Sequence, residues 1–231
     1  MNPDGQPVEQ ALDDRTLAIQ IAVAFLANVP WLYNAVAGVL AGSGAPILLA
    51  IANSDAVRKL GRRRAEHAAE TMLAAAEAAN LSLSDFLDHA VSDDRRQELL
   101  TRALWIAQDT ALTAKRRVLG RALASGVMGD DAKVDEESLF VRAIEDLDAV
   151  HIRLLSRLAG GRLWDVDSVT KEDPGLALGV ESLFRTLEVH GLVRAHMSVP
   201  PGGAVRSLDP SYSISTLGEL LLDRLADECP G

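Results

Sequence analysis

The side chains able to do chemistry are dispersed along this chain rather than gathered. Five histidines, His67, His89, His151, His190 and His196, show neither an HxH pair nor an HExxH spacing, so no two imidazoles are set on one face as a zinc site needs. Cys229 is the lone cysteine, which leaves no cysteine cluster and no intrachain disulfide. The acid pairs Asp93-Asp94, Asp130-Asp131 and Glu136-Glu137 stand where helix starts and turns take carboxylates, so capping accounts for them without general acid–base work. Gly38 to Gly44 is glycine-bearing, but it lacks the lysine and the preceding strand of a phosphate cradle, and the chain has no GxSxG elbow. These patterns point to a protein that is not an enzyme, with no metal, no cofactor and no small-molecule substrate.

Two basic clusters remain: Arg58, Lys59, Arg62, Arg63 and Arg64, and then Lys115, Arg116, Arg117 and Arg121. Against a net charge of -10 they are local exceptions, since the average field of the molecule repels polyanions. Arginine and lysine together offer contacts to nucleic acid or to anionic lipid.

Positioning such groups requires a folded frame, and composition indicates which kind. With 231 residues, 48% of them hydrophobic, the chain can bury a core unaided. Only 4% are aromatic while alanine and leucine abound, which favours helices packed through small side chains over an all-β architecture. The expected fold class is mainly α: an N-terminal helical domain followed by a C-terminal winged-helix (α+β) module. The absence of a cysteine framework and the acidic start, with Asp4, Glu9, Asp13 and Asp14 in place of a basic leader, fit a cytoplasmic protein.

After a polar head, 1–15, the helical domain covers 16–145. It opens on a run from Thr16 to Ser54 with no Asp, Glu, Lys or Arg, 39 positions in all. Such a length exceeds what a bilayer crossing needs, but Pro30, Pro46, Gly38, Gly42 and Gly44 cut it into short pieces, and Gln20, Asn28 and Asn34 are costly in lipid unless paired. Buried helices in a core are one reading. A membrane-associated segment followed by the Arg58–Arg64 cluster at an anionic surface is the other. Gly38 and Gly42 also give a GxxxG spacing that suits self-association.

From Asp55 the pattern is helical. Ala65, Ala68, Ala69, Met72, Leu73, Ala76 and Ala79 trace an apolar face, Asn80 ends it, and Ser82 with Asp85 has the form of a capping box opening a short helix with Phe86, Leu87 and Ala90. Asp93 begins a periodic stretch, Leu100, Leu104, Ala107, Ala111, Ala114 and Val118, that reads as one long helix stopping near Gly126 or Gly129. In that reading Lys115 to Arg121 lie near its C-terminal end, where cations complement the dipole. A further helix with Leu139, Phe140, Ala143, Ile144 and Leu147 follows, capped by Asp135.

The last segment, 146–231, changes character. Asp148 to Leu158 is amphipathic and stops at Gly160-Gly161, Arg162 to Val166 has the look of a short strand, and Leu176 to His190 carries Val180, Leu183, Phe184 and Leu187 on one side. Two strand-like pieces flank Pro200-Pro201-Gly202-Gly203, and Ser215 or Thr216 caps a final helix. Leu187-Glu-Val-His-Gly-Leu-Val-Arg194 followed by Tyr212-Ser-Ile-Ser-Thr-Leu-Gly-Glu-Leu-Leu221 resembles the end of winged-helix regulators of the MarR and PadR type. The resemblance implies a recognition helix at Leu176–His190 and a wing at Pro200–Arg206, with Arg185, Arg194 and Arg206 as contacts to DNA or to a partner. The sequence departs from that pattern in two ways: Trp164 to Asp173 offers little apolar periodicity for the helix that should precede the recognition helix, and 146–231 holds thirteen acidic residues against eight basic ones. A regulatory or interaction protein, reading DNA or binding protein, is the expected function; a membrane-associated effector or anchor is the alternative.

Overall fold

The structure, a computed structural model, describes residues 14–22, 55–197 and 210–226. Most of the charge-free run, the wing region around Pro200 to Arg206, and Cys229 therefore lie outside the described residues. The chain is mainly helical, with a small two-stranded antiparallel sheet near the C-terminus. It divides into two compact units, Met1–Glu137 and Ser138–Gly231. No helix among the described residues is long and apolar enough to cross a membrane.

In the first unit, residues 14–22 are helical, and α1 (Asp55–Ala78), α2 (Leu83–Ala90), α3 (Asp94–Asp109) and α4 (Thr113–Met128) follow, with α5 (Asp131–Glu145) carrying the division between units. Ala65, Ala68, Ala69, Met72, Ala75 and Ala76 of α1 are buried, and their small side chains let α4 approach closely. At Gly120 of α4 an added Cβ would lie 2.8 Å from the Ala74 Cβ and 2.9 Å from the Thr71 carbonyl oxygen, so only glycine fits this crossing without a shift. Asn80 ends α1 in the left-handed region at φ 56. Ser82 caps α2, its hydroxyl accepting from the Asp85 amide at 3.1 Å and donating to the Asp85 carboxylate at 2.7 Å. Asp93 caps α3 by accepting from the Arg95 and Arg96 amides, bonds that hold its carboxyl below the usual carboxylate range, with the Arg96 amide the largest cause.

The long helix expected from Asp93 to near Gly126 or Gly129 is two helices, the second of which does end at Met128 before Gly129. Thr110, at φ -88 and ψ 129, is extended, and the chain turns before α4 begins at Thr113. This reverses the position of the second basic cluster: Lys115, Arg116 and Arg117 occupy the first turns of α4, where the dipole disfavours cations, not the last turn of a continuous helix. Arg116 is buried instead by specific bonds, Nε to the Glu70 carboxylate at 2.8 Å, Nη1 to the Thr110 carbonyl at 3.1 Å and Nη2 to the Thr113 hydroxyl at 3.0 Å. It thus caps the end of α3 while joining α4 to α1. The cap of α5 also differs from expectation. Asp130 accepts from the Lys133 amide at 3.0 Å, while Asp135 lies inside the helix.

The second unit contains α6 (Ala149–Leu158), α7 (Val166–Glu172), a 3-10 turn (Pro174–Leu176), α8 (Val180–Val189), β1 (Val193–His196), β2 (Ser211–Ile214) and α9 (Thr216–Ala226). Its core is Leu154, Leu155 and Leu158 of α6, Phe184 and Leu187 of α8, Trp164, Leu192, Tyr212 and Leu221. Gly160 and Gly161, both at positive φ, close α6. Segment 164–173 holds a capped helix where the sequence offered little apolar periodicity; α7 buries a single residue, Val169, and Asp165 starts it by accepting from the Ser168 amide at 2.7 Å. The helix expected over Leu176–His190 begins only at Val180, after Gly179.

Candidate recognition surface of the C-terminal unit

Helix α8 is positioned from beneath. Val180, Phe184 and Leu187 are buried at a helical spacing, and the Phe184 ring stacks on Tyr212 with centroids 4.0 Å apart and planes 10° from parallel. Tyr212 is the central point of the sheet. It pairs with Ala195 of β1 on one side and forms an antiparallel bridge with Trp164 on the other, through amide bonds of 2.9 and 2.6 Å. Burial raises the Tyr212 phenol above its ordinary value, and the carboxylates of Glu188 and Glu181 add to the shift.

The turn leading into α8 is fixed by charge. Arg153 of α6 donates through Nε to one carboxylate oxygen of Asp173 at 2.7 Å and through Nη2 to the other, and Arg157 lies 3.7 Å from the same carboxylate. Asp173 is buried, and the Arg153 bonds hold its carboxyl below the usual range although burial opposes this. At the far end, Gly191 at φ 69 turns the chain into β1. The Ser215 hydroxyl ties this corner to α9 by donating to the Gly191 carbonyl at 2.6 Å and accepting from the Gly218 amide at 3.1 Å. A Cβ at Gly218 would meet the Leu192 carbonyl oxygen at 2.3 Å.

What α8 presents outward is Glu181, Ser182, Arg185, Glu188 and Val189, all exposed. Just before it Leu178 is wholly exposed, and Val189 is 75% exposed. Arg185 stands one helical turn from each of Glu181 and Glu188 on α8. Arg194 is exposed on β1, followed by Ala195 and His196, and His196 Nε2 meets the Ser213 hydroxyl at 2.8 Å. Of the three arginines singled out from sequence, Arg185 and Arg194 are thus exposed within this unit, and Arg206 lies outside the described residues. Leu178 was not anticipated; periodicity assigned it to the interior of a helix that in fact starts two residues later.

The other polar candidates hold structural positions. His67 Nδ1 meets the Gln108 carbonyl at 3.3 Å, His151 Nδ1 accepts from the Asp148 amide at 3.1 Å, and His190 Nε2 lies 3.1 Å from Asp146. Among the described residues no three of His, Cys, Asp or Glu come together as metal ligands. Lys133 bridges Glu136 at 2.9 Å and the fully buried Glu137 at 3.3 Å, and the Glu136 bond raises its pKa. Comparison of the chain with known proteins gave no matching family model, no matching curated protein and no matching solved structure.

Proposed function

We propose that this is a non-enzymatic regulatory or interaction protein whose C-terminal unit is a winged helix used to hold a protein partner. The winged-helix reading is supported by element order, α6, Trp164, α7, α8, β1, β2, and by a pairing order in which β2 lies between β1 and Trp164. In such a module α8 takes the place of the recognition helix and the segment between β1 and β2 that of the wing.

The observation that carries the choice of partner is the outward face of α8. A reader of DNA lines this face with phosphate-neutralising cations and base-reading side chains. Here Glu181 and Glu188 flank the single Arg185, and Leu178 and Val189 add exposed apolar area. Two carboxylates facing a duplex repel it, whereas apolar side chains ringed by charges of both signs suit a protein surface. The test is a mobility-shift titration of the full chain with mixed-sequence duplex DNA at about 50 and about 200 mM salt, a range over which phosphate contacts weaken strongly. No shift that depends on Arg185 and Arg194 is expected; a salt-sensitive shift abolished by Arg185→Ala with Arg194→Ala would overturn the choice of partner.

A further inference from the structure

The small sheet of the C-terminal unit has one edge covered and one edge without a strand. On the covered side, the Tyr212 amide donates to the Trp164 carbonyl at 2.6 Å and the Tyr212 carbonyl accepts from the Trp164 amide at 2.9 Å. Both groups of Tyr212 thus face away from β1, and the Ala195–Tyr212 pair exchanges no bonds within the ladder. The Leu192 carbonyl accepts from the Ser215 amide at 2.9 Å, which sets the same alternation. Leu192, Arg194 and His196 aim their backbone groups at β2, and Ala195 aims its amide and carbonyl at the opposite edge. Among the described residues no strand lies on that edge. Arg194, Ala195 and His196 are exposed, and Met197 beyond them is 64% exposed.

An edge of this kind is a template for a further strand, and its side chains select which one. Alternate residues share a face, so Arg194 and His196 stand together, beside their register partners Ser213 and Ser211. His196 Nε2 meets the Ser213 hydroxyl at 2.8 Å, and the Ser211 hydroxyl donates to the His196 carbonyl at 3.3 Å. Neither strand contains an Asp or a Glu, although 146–231 as a whole is acidic. Residues of an added strand opposite Arg194 and His196 would occupy the closely spaced pairs that lack backbone bonds, where side chains are nearest. Carboxylates are attracted there and cations repelled. A second copy of β1 is a poor match, because the two antiparallel registers that overlap most of it set Arg194 against Arg194 or against His196.

We infer that the open edge of β1 takes up an extended segment of a partner protein with acidic side chains at alternate positions. It is a second contact surface of this unit and does not depend on the outward face of α8.

The test is fluorescence anisotropy of the full chain with a labelled peptide of about eight residues, glutamate alternating with threonine. Saturable binding is expected, and it should be lost when lysine replaces each glutamate. N-methylation at the threonines, whose amides would bond Ala195, should abolish binding; N-methylation at the glutamates, whose amides face away, should leave it. Arg194→Ala should weaken binding about fivefold. Ala195→Pro removes an amide that takes no part in the β1–β2 ladder, at an edge position where proline is accepted. Its circular dichroism should therefore match the parent while binding falls about tenfold. No binding, equal binding of the lysine peptide, the same response to both methylation patterns, or binding unchanged in both variants would each overturn the inference. So would self-association of the free chain that Ala195→Pro abolishes, which would give the edge to a second copy.

Discussion

Arg153 of α6 grips both carboxylate oxygens of Asp173, the residue that ends α7 and precedes the 3-10 turn into α8. This pair anchors the turn between α7 and α8 alongside the buried Leu176 and Val180, while α7 itself buries only Val169.

A pH dependence follows with a defined sign. The folded-state pKa of Asp173 lies below its ordinary 3.8 because the Arg153 guanidinium stabilises the carboxylate. Its contribution is therefore complete above the unfolded pKa and is lost as pH falls through the depressed folded value. Asp173→Asn should lower the melting temperature at pH 7 by several degrees, and the difference from the parent should shrink as pH is taken from about 5 to about 2. Thermal denaturation followed by circular dichroism over that range checks it; a gap that stays constant into acid would contradict the role given to the ionised pair.

The close crossing of α1 and α4 makes two glycines respond in opposite directions. Gly120→Ala gains helix propensity of about 1 kcal/mol but drives a Cβ to 2.8 Å from Ala74 and 2.9 Å from a backbone oxygen, an overpacking that costs about 1–3 kcal/mol. Net destabilisation of about 1 kcal/mol is expected. Gly61→Ala, where nothing lies within 4 Å, should instead stabilise by up to about 1 kcal/mol. Urea denaturation of the two variants tests the pair together.

Arg116 joins three segments, and its removal should be felt more than that of its exposed neighbours. Arg116→Ala leaves Glu70 and the Thr110 carbonyl without the guanidinium that bonds them, and with Glu70 partly exposed a loss of about 2–3 kcal/mol is expected. Arg117→Ala, at an exposed position, should change stability by less than about 1 kcal/mol. Chemical denaturation separates the two, and similar losses at both positions would contradict the bridging role of Arg116.

Local signals were readable in the sequence where one side chain or glycine settles the backbone. Ser82 with Asp85, Asn80 at positive φ, and the glycines at 160, 161 and 191 all stand where their chemistry predicted. The break at Thr110 to Leu112 was not readable, because no glycine or proline marks it and the apolar period continues through it. It is held by tertiary bonds, Arg116 to Thr110 and His67 to Gln108, that no window of sequence contains. The same holds for α7, whose start depends on Asp165 and whose end depends on a partner twenty residues away in Arg153. Arg185 and Arg194 were singled out through the winged-helix resemblance, and both are exposed. The exposure of Leu178 was not readable, since it depends on α8 starting at Val180 after Gly179.

The outward face of α8 as a protein-contact surface is tested most directly by a photo-reactive residue placed at Leu178 in the full chain, with a control at the buried Phe184, and irradiation in the cells from which the protein comes. A discrete protein adduct from position 178, absent from 184 and weakened by Glu181→Lys with Glu188→Lys, is the predicted result. Crosslinking of position 178 in the parent chain to nucleic acid, with no protein adduct, would contradict it.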